Sequence, residues 1–199
     1  MKIGEARGIY STQLRSYNEQ KFLLAQQKQE LEEKIKKTEN GAEIYADEAA
    51  TLELKYNAVS EKQDEYQEYM NGLMAQWSAE FDKVAAEQQA DAAEEYAKDM
   101  GKIMMIARRI MHGDIVPAKD EKKLMEFDDK LYQVAKNIGM MVRQNEKKKY
   151  KSLWDDEEKK EYEDPADAAD DADAFSAGPE VVDVADTIAA ATGETELPE

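Results

Sequence analysis

The segment Ala42–Gly113 reads AEIYADEAATLELKYNAVSEKQDEYQEYMNGLMAQWSAEFDKVAAEQQADAAEEYAKDMGKIMMIARRIMHG, with no proline and only Gly72 and Gly101 before its end. Its apolar positions repeat: Leu52, Val59, Tyr66 and Leu73 lie seven apart. Tyr56, Met70, Trp77 and Val84 form a second row four residues behind, with Gln63 its one polar member. A 4-3 alternation of this kind marks a narrow helix–helix seam. After Trp77 the first row fails at Glu80 and Phe81 takes over. The seam resumes as Tyr96, Met100, Ile103, Ala107 and Ile110, beyond a stretch, Ala85–Ala93, where alanines replace large side chains. The pattern predicts one long helix over 42–112 with a thin or flexible waist at 85–93, because small side chains bury little apolar area. At about 1.5 Å per residue the helix would run roughly 100 Å.

The flanking segments read as partners for it. Tyr10, Leu14, Tyr17, Leu24, Leu31 and Ile35 keep the same phase, with Lys21 and Lys28 in two seam positions, and predict a helix over 3–37. Thr38-Glu39-Asn40-Gly41 breaks it, Asn40 and Gly41 tolerating left-handed backbone. Asn40 and Glu43 have the spacing of a capping pair. A turn this short makes the two helices antiparallel neighbours. His112-Gly113-Asp114 and Pro117 are stop and start signals. Leu124, Phe127, Leu131, Val134, Ile138 and Met141 then predict a third helix over 118–154, folding back on the Tyr96–Ile110 stripe. The expected fold is all-α: an elongated antiparallel coiled-coil body, residues 1–154, made of helical hairpins that share the long central helix.

Charge divides the chain. Its net of −18 is concentrated from Asp155 onward, where 17 acids face two lysines, a net of −15; the preceding residues hold 28 acids against 25 bases. Direct binding to nucleic acid is disfavoured, since that affinity comes from clustered Lys and Arg. Few large apolar residues occur in 155–199, so burial is expected not to offset ordering entropy, and the tail reads as disordered. Within it Val181, Val182, Val184, Ala185, Ile188 and Ala189 recur at near-helical spacing. That makes 180–191 a candidate segment for folding on a partner.

The residues argue against most chemistries. There is no cysteine, which excludes disulfides and thiolate metal sites, and His112 is the only histidine. Neither Glu-x-x-His nor His-Glu-x-x-His occurs, so the di-iron and zinc helix motifs are absent. His112 itself falls at a helix C-terminus, where it suits the dipole. The acidic run Asp164–Asp173 lacks the glycine and terminal glutamate of a calcium loop. No cofactor or metal is expected, and the chain reads as a non-enzyme. The N-terminus carries no apolar signal segment and the longest apolar run, Ile103–Ala107, is far short of a membrane span. The expected location is the cytoplasm.

Two features point to protein partners. Seven of ten methionines fall in the second hairpin, and the adjacent Met104 and Met105 cannot both enter a two-helix seam. With Met140 and Met141 they are candidate partner-binding residues, since methionine makes adaptable apolar surfaces. Val181, Val182, Val184 and Ile188 complete the set. The second feature, the basic run from Arg143 to Trp154, could hold an acidic partner but reads rather as complementing a helix C-terminus and offsetting the adjoining acidic tail. The leading expectation is a scaffold, adaptor or assembly factor with protein partners and self-association. The alternatives are an export chaperone or exported substrate of a secretion or flagellar-type system, or a phage assembly scaffold.

Overall fold

The computed structural model describes residues 1–142, 147–155 and 160–193. Among them are seven helices: α1 (Ile3–Lys37), α2 (Gly41–Ile44), α3 (Ala46–Met111), α4 (Ala118–Phe127), α5 (Asp129–Met141), α6 (Pro165–Asp171) and α7 (Val184–Thr192). No strand occurs among the described residues, only isolated bridges pairing Lys2 with Asp173 and Ile115 with Lys149. The protein is all-α.

Two compact units result, and they do not follow the expected division into a 1–154 body and a 155–199 tail. One combines Met1–Val84 with the C-terminal segment from Asp164, and the other is Ala85–Glu163. The boundary inside α3 falls where the alanine-rich stretch begins.

In the first unit α1 and α3 pack antiparallel. Leu14, Tyr17, Leu24, Val59, Tyr66 and Leu73 form a buried cluster, with Leu52 and Tyr56 partly covered against it. The polar seam positions are matched in pairs. Lys21 donates to Gln63 Oε1 at 2.7 Å, and Gln63 donates to Asn18. Lys28 pairs with Glu53 and stands 4.6 Å from the centroid of the Tyr56 ring. At the turn Asn40 adopts φ 56°, but its side chain makes no capping bond, so the expected pair with Glu43 does not form. Gly41 is required for space: a Cβ there would lie 2.4 Å from the Ile35 carbonyl oxygen. The expected helix over 42–112 is divided at Tyr45 into α2 and α3.

The expectation of a disordered tail is overturned from Lys160 to Gly193. Asp164 caps α6 by accepting from Ala166 N–H, with Pro165 at its start. Beyond α6, Ile3 N–H donates to the Ala172 carbonyl at 2.9 Å and Ala174 N–H to the Met1 carbonyl at 3.1 Å. The chain then runs without regular structure, bending at 175–176 and 179, to Asp183, which caps α7 through Ala185 N–H. Ala174, Val184 and Ile188 pack on the hairpin core. Judging order by apolar content missed this, because polar main-chain contacts hold much of the segment.

The second unit corrects the third helix. The expected helix over 118–154 is interrupted at Asp128 (φ −154°), whose carboxylate accepts from Leu131 N–H and starts α5. It ends at Met141. Residues 147–155 are not helical: Ile115 N–H donates to the Lys148 carbonyl, and Tyr150 N–H to that of Ile115. The described part of the basic run, 147–154, is therefore not the end of a helix; Arg143 lies outside the described residues. Ile103, Ile106, Ala107 and Ile110 bury against Leu124, Ala135, Val116 and Trp154. Tyr96 and Met100, expected in this seam, stay exposed. Asp120 is fully buried, accepting from the Ser152 hydroxyl and Leu153 N–H. Lys102 and Lys123 lie 5.2 and 4.5 Å from the Trp154 ring centroid, and the indole N–H donates to Asp99.

The approach of α5 to the end of α3 depends on Gly139, where a Cβ would sit 2.2 Å from the Ile110 carbonyl oxygen. Gly139→Ala is expected to destabilise by about 1–3 kcal/mol through overpacking. Gly101→Ala, mid-helix with nothing within 4 Å of a Cβ, should stabilise by up to about 1 kcal/mol. Thermal melting followed by far-UV circular dichroism checks both; equal or reversed shifts would contradict the packing described.

Candidate interaction surfaces

Four tyrosines define a groove on the α1/α3 hairpin. The Tyr10 ring meets Tyr66 and Tyr69 edge-on, with centroids 5.5 and 4.7 Å apart, and Tyr17 meets Tyr66 likewise at 5.3 Å. The rings are buried, so each phenol hydroxyl needs a partner to offset its desolvation. Helical carbonyls keep a second lone pair, as the bonds from Ser11 and Thr12 to the Gly8 carbonyl show, but the four phenols bond instead to the non-helical stretch of the C-terminal segment. Tyr69 donates to the Ser176 carbonyl at 2.8 Å, Tyr10 to Pro179 at 2.6 Å, and Tyr66 to Glu180 at 2.9 Å. Tyr66 also accepts from Val182 N–H at 2.8 Å. Tyr17 bonds the Val182 carbonyl at 3.0 Å and the Thr187 hydroxyl at 2.6 Å.

Shape fixes the register of this strap. Gly178 has φ +80°, and a Cβ there would lie 2.4 Å from the Tyr10 hydroxyl and 2.7 Å from the Tyr69 ring. Phe175 sits over Gly72, where a Cβ would be 2.9 Å from its ring, and tilts against Tyr69. Gln76 brackets the same turn, donating to the Asp173 carbonyl and accepting from Phe175 N–H. Asp170 joins two elements at once: it accepts from Arg7 at 2.7 Å and from the Trp77 indole at 2.9 Å. Arg7 in turn lies 5.0 Å from the Trp77 ring centroid.

The candidate residues of 180–191 therefore separate. Val184 and Ile188 pack against the hairpin, Val182 is half-buried with both main-chain groups bonded, and Val181 is exposed. The segment expected to fold on a partner folds here on its own chain. Periodicity marks Tyr10, Tyr17 and Tyr66 only as seam positions and passes over Tyr69. The available signal was a phenol where a seam needs only an aliphatic side chain.

In the second unit Met104 and Met105 line an open groove with Gly101, Arg108, Met111 and Leu131. Met140 and Met141 are strongly exposed at the end of α5 but do not line that groove. Beside it the Arg109 guanidinium stacks 3.9 Å from the Tyr150 ring centroid and donates to Met105 Sδ. Across α4 and α5, Lys136 pairs with Glu121 at 2.8 Å, which raises its pKa above the ordinary lysine value. Among the described residues no group of three or more His, Cys, Asp or Glu is placed to hold a metal ion. No helix among them is long and apolar enough to cross a membrane.

No protein-family model matches the chain, and neither a curated protein nor a solved structure matches it.

Two outcomes follow from the tyrosine groove. Tyr66→Phe removes a donor and leaves Val182 N–H without its acceptor, at a cost of about 1–3 kcal/mol. Amide hydrogen exchange should quicken roughly tenfold or more across the strap while the middle of α1 keeps its protection. Uniform loss across both would show the strap is not a separate layer. The second concerns pH. Burial pushes the Tyr17 phenol up to about 12, against an opposing pull from the Thr187 hydrogen bond, and burial also raises Tyr10. The folded form thus holds its protons longer than the unfolded chain, so this stability is complete below pH 10 and lost as pH climbs towards 12. Tyrosinate absorbance should show a late-titrating class that rises together with loss of strap protection.

Proposed function

We propose that the protein is a non-enzymatic helical interaction protein, a scaffold, adaptor or assembly factor, whose second unit presents a methionine face to a protein partner. The observation that carries this reading is exposure. Met104 and Met105 are 56% and 47% exposed, and Met140 and Met141 76% and 81%. Methionines that filled gaps in a core would be covered. Exposed thioether side chains beside an open groove suit an adaptable apolar contact, such as one face of a partner helix. Val134 and Ile138 of α5 are exposed as well, which widens the apolar area on offer. In the first unit the seven-residue spacing of Tyr10, Tyr17, Leu24 and Leu31 against Val59, Tyr66 and Leu73 supports an antiparallel coiled coil as its frame. The proposal gives nucleic acid no direct role.

Paired substitutions separate the two surfaces. Met104→Glu with Met105→Glu alters exposed positions and should leave the far-UV spectrum intact. In affinity co-purification from native lysate, with proteins quantified by mass spectrometry, this variant should lose a partner at least tenfold. Val181→Asp, exposed on the strap, should retain it. Identical retention by wild type and the methionine variant would overturn the reading.

A further inference from the structure

We propose that the tyrosine-lined groove is a binding site for a non-helical peptide stretch flanked by two short helices, and that it takes residues 164–193 of a second copy of this chain in place of its own. The proposal does not depend on the methionine face, and either can fail alone.

The recognition is of main chain. Tyr69, Tyr10, Tyr66 and Tyr17 reach the carbonyls of Ser176, Pro179, Glu180 and Val182, and Gln76 holds both sides of the Asp173–Phe175 turn. The N-terminal backbone adds an antiparallel bridge at Lys2 and Asp173. Main-chain bonds give such a groove its affinity and side-chain notches its register, as in strand addition to a sheet edge. Here the notches are the Gly72 face, which admits Phe175, and the tyrosine hydroxyl shelf, which admits only glycine at 178. The binding partners are far apart in sequence, 97 residues for Gln76 and Asp173 and 169 for Tyr10 and Pro179. Nothing local ties the strap to the hairpin it covers.

The hinge is equally defined. The chain leaves the first unit at Val84 and rejoins it at Asp164. Immediately before, Lys160 pairs with Asp91 at 2.8 Å and the Glu163 carbonyl accepts from Gln88 at 2.6 Å, both within the second unit. Immediately after, Asp164 caps α6 and Pro165 prevents that helix from extending backward. A dihedral change at Glu163–Asp164 would redirect the whole strap while keeping the contacts on each side. Exchange of an identical element costs little in contacts, because every one is remade in the dimer. The cis strap has only the advantage of effective concentration, on the order of millimolar for a flexible connection. Exchange is therefore favoured when copies are crowded together, as in an assembly.

The absence of cysteine allows a clean test on the full chain. Lys2 and Asp173 face each other in the bridge with 47% and 82% exposed side chains, and the Cβ atoms of such a pair lie about 4.5–5.5 Å apart, close to disulfide reach. A chain carrying both Lys2→Cys and Asp173→Cys should form its disulfide internally in a glutathione redox buffer. Two single variants, mixed at high concentration in the same buffer, should give the mixed disulfide dimer, resolved by intact mass. Its rate should be at least tenfold above that of an Asp173→Cys and Lys36→Cys pair, which reports random collision. Excess synthetic peptide of residues 164–193 should suppress the product, and the same peptide bearing Gly178→Val should not. A mixed rate equal to the collision control overturns the exchange. Failure of the double variant to link, or indifference to the peptide, overturns the groove itself.

Discussion

A phenol buried between two helices brings a hydroxyl that must find an acceptor, and the first unit is arranged around that need. Leucine at positions 10, 17, 66 and 69 would close the α1/α3 seam by apolar contact alone. Tyrosine adds four hydroxyls at its rim, and each finds a main-chain acceptor in a segment outside regular structure. That stretch runs from Ala172 to Asp183, where Gly178, at φ +80°, and Pro179 disfavour a helix. Helix α7 then begins beyond its cap Asp183, and its Thr187 hydroxyl also bonds Tyr17.

How far the sequence reveals this depends on what each signal measures. Periodicity measures burial along a regular element, and it finds the all-α class and the buried positions Tyr10, Leu14, Tyr17, Leu24 and Leu31 of α1. It fails where an element ends without losing its period. Leu124, Phe127, Leu131, Val134 and Ile138 keep helical spacing straight through the break at Asp128, although Phe127, Val134 and Ile138 are exposed. The competing signal was Asp128 itself, a strong helix-start residue, overridden by the apolar count. Composition fails differently. It judges a segment by the apolar area it can bury, and the strap is held largely by carbonyls, which every residue has whatever its side chain. Among the site residues, the adjacency of Met104 and Met105 made an exposed methionine legible. Nothing local showed that Val184 and Ile188 would fold on the chain's own hairpin.

The two units cover their apolar stripes with segments of opposite charge. In the second, cations lie on aromatic faces: Lys102 and Lys123 about Trp154, Arg109 on Tyr150. Each such contact contributes about 0.5–2 kcal/mol, more as water is excluded. Together with the buried Asp120 they pin a non-helical segment rich in lysine. In the first, the covering strap is acidic, and Lys2 and Arg7 meet Asp173 and Asp170.

The relative weights decide what kind of recognition the strap uses. Its ion pairs are substantially exposed, and pairs of that kind contribute about 0–1 kcal/mol and weaken in salt. The phenol bonds are at the buried end of the range, about 1 kcal/mol each with a larger penalty when broken. To these add the burial of Ala174, Val184 and Ile188 against the hairpin core and the seating of Phe175 on Gly72. Main-chain bonding and fit therefore outweigh charge. The acidity that dominates the strap's composition adds little to this hold, while Gly178 and the four tyrosines set its register on the hairpin.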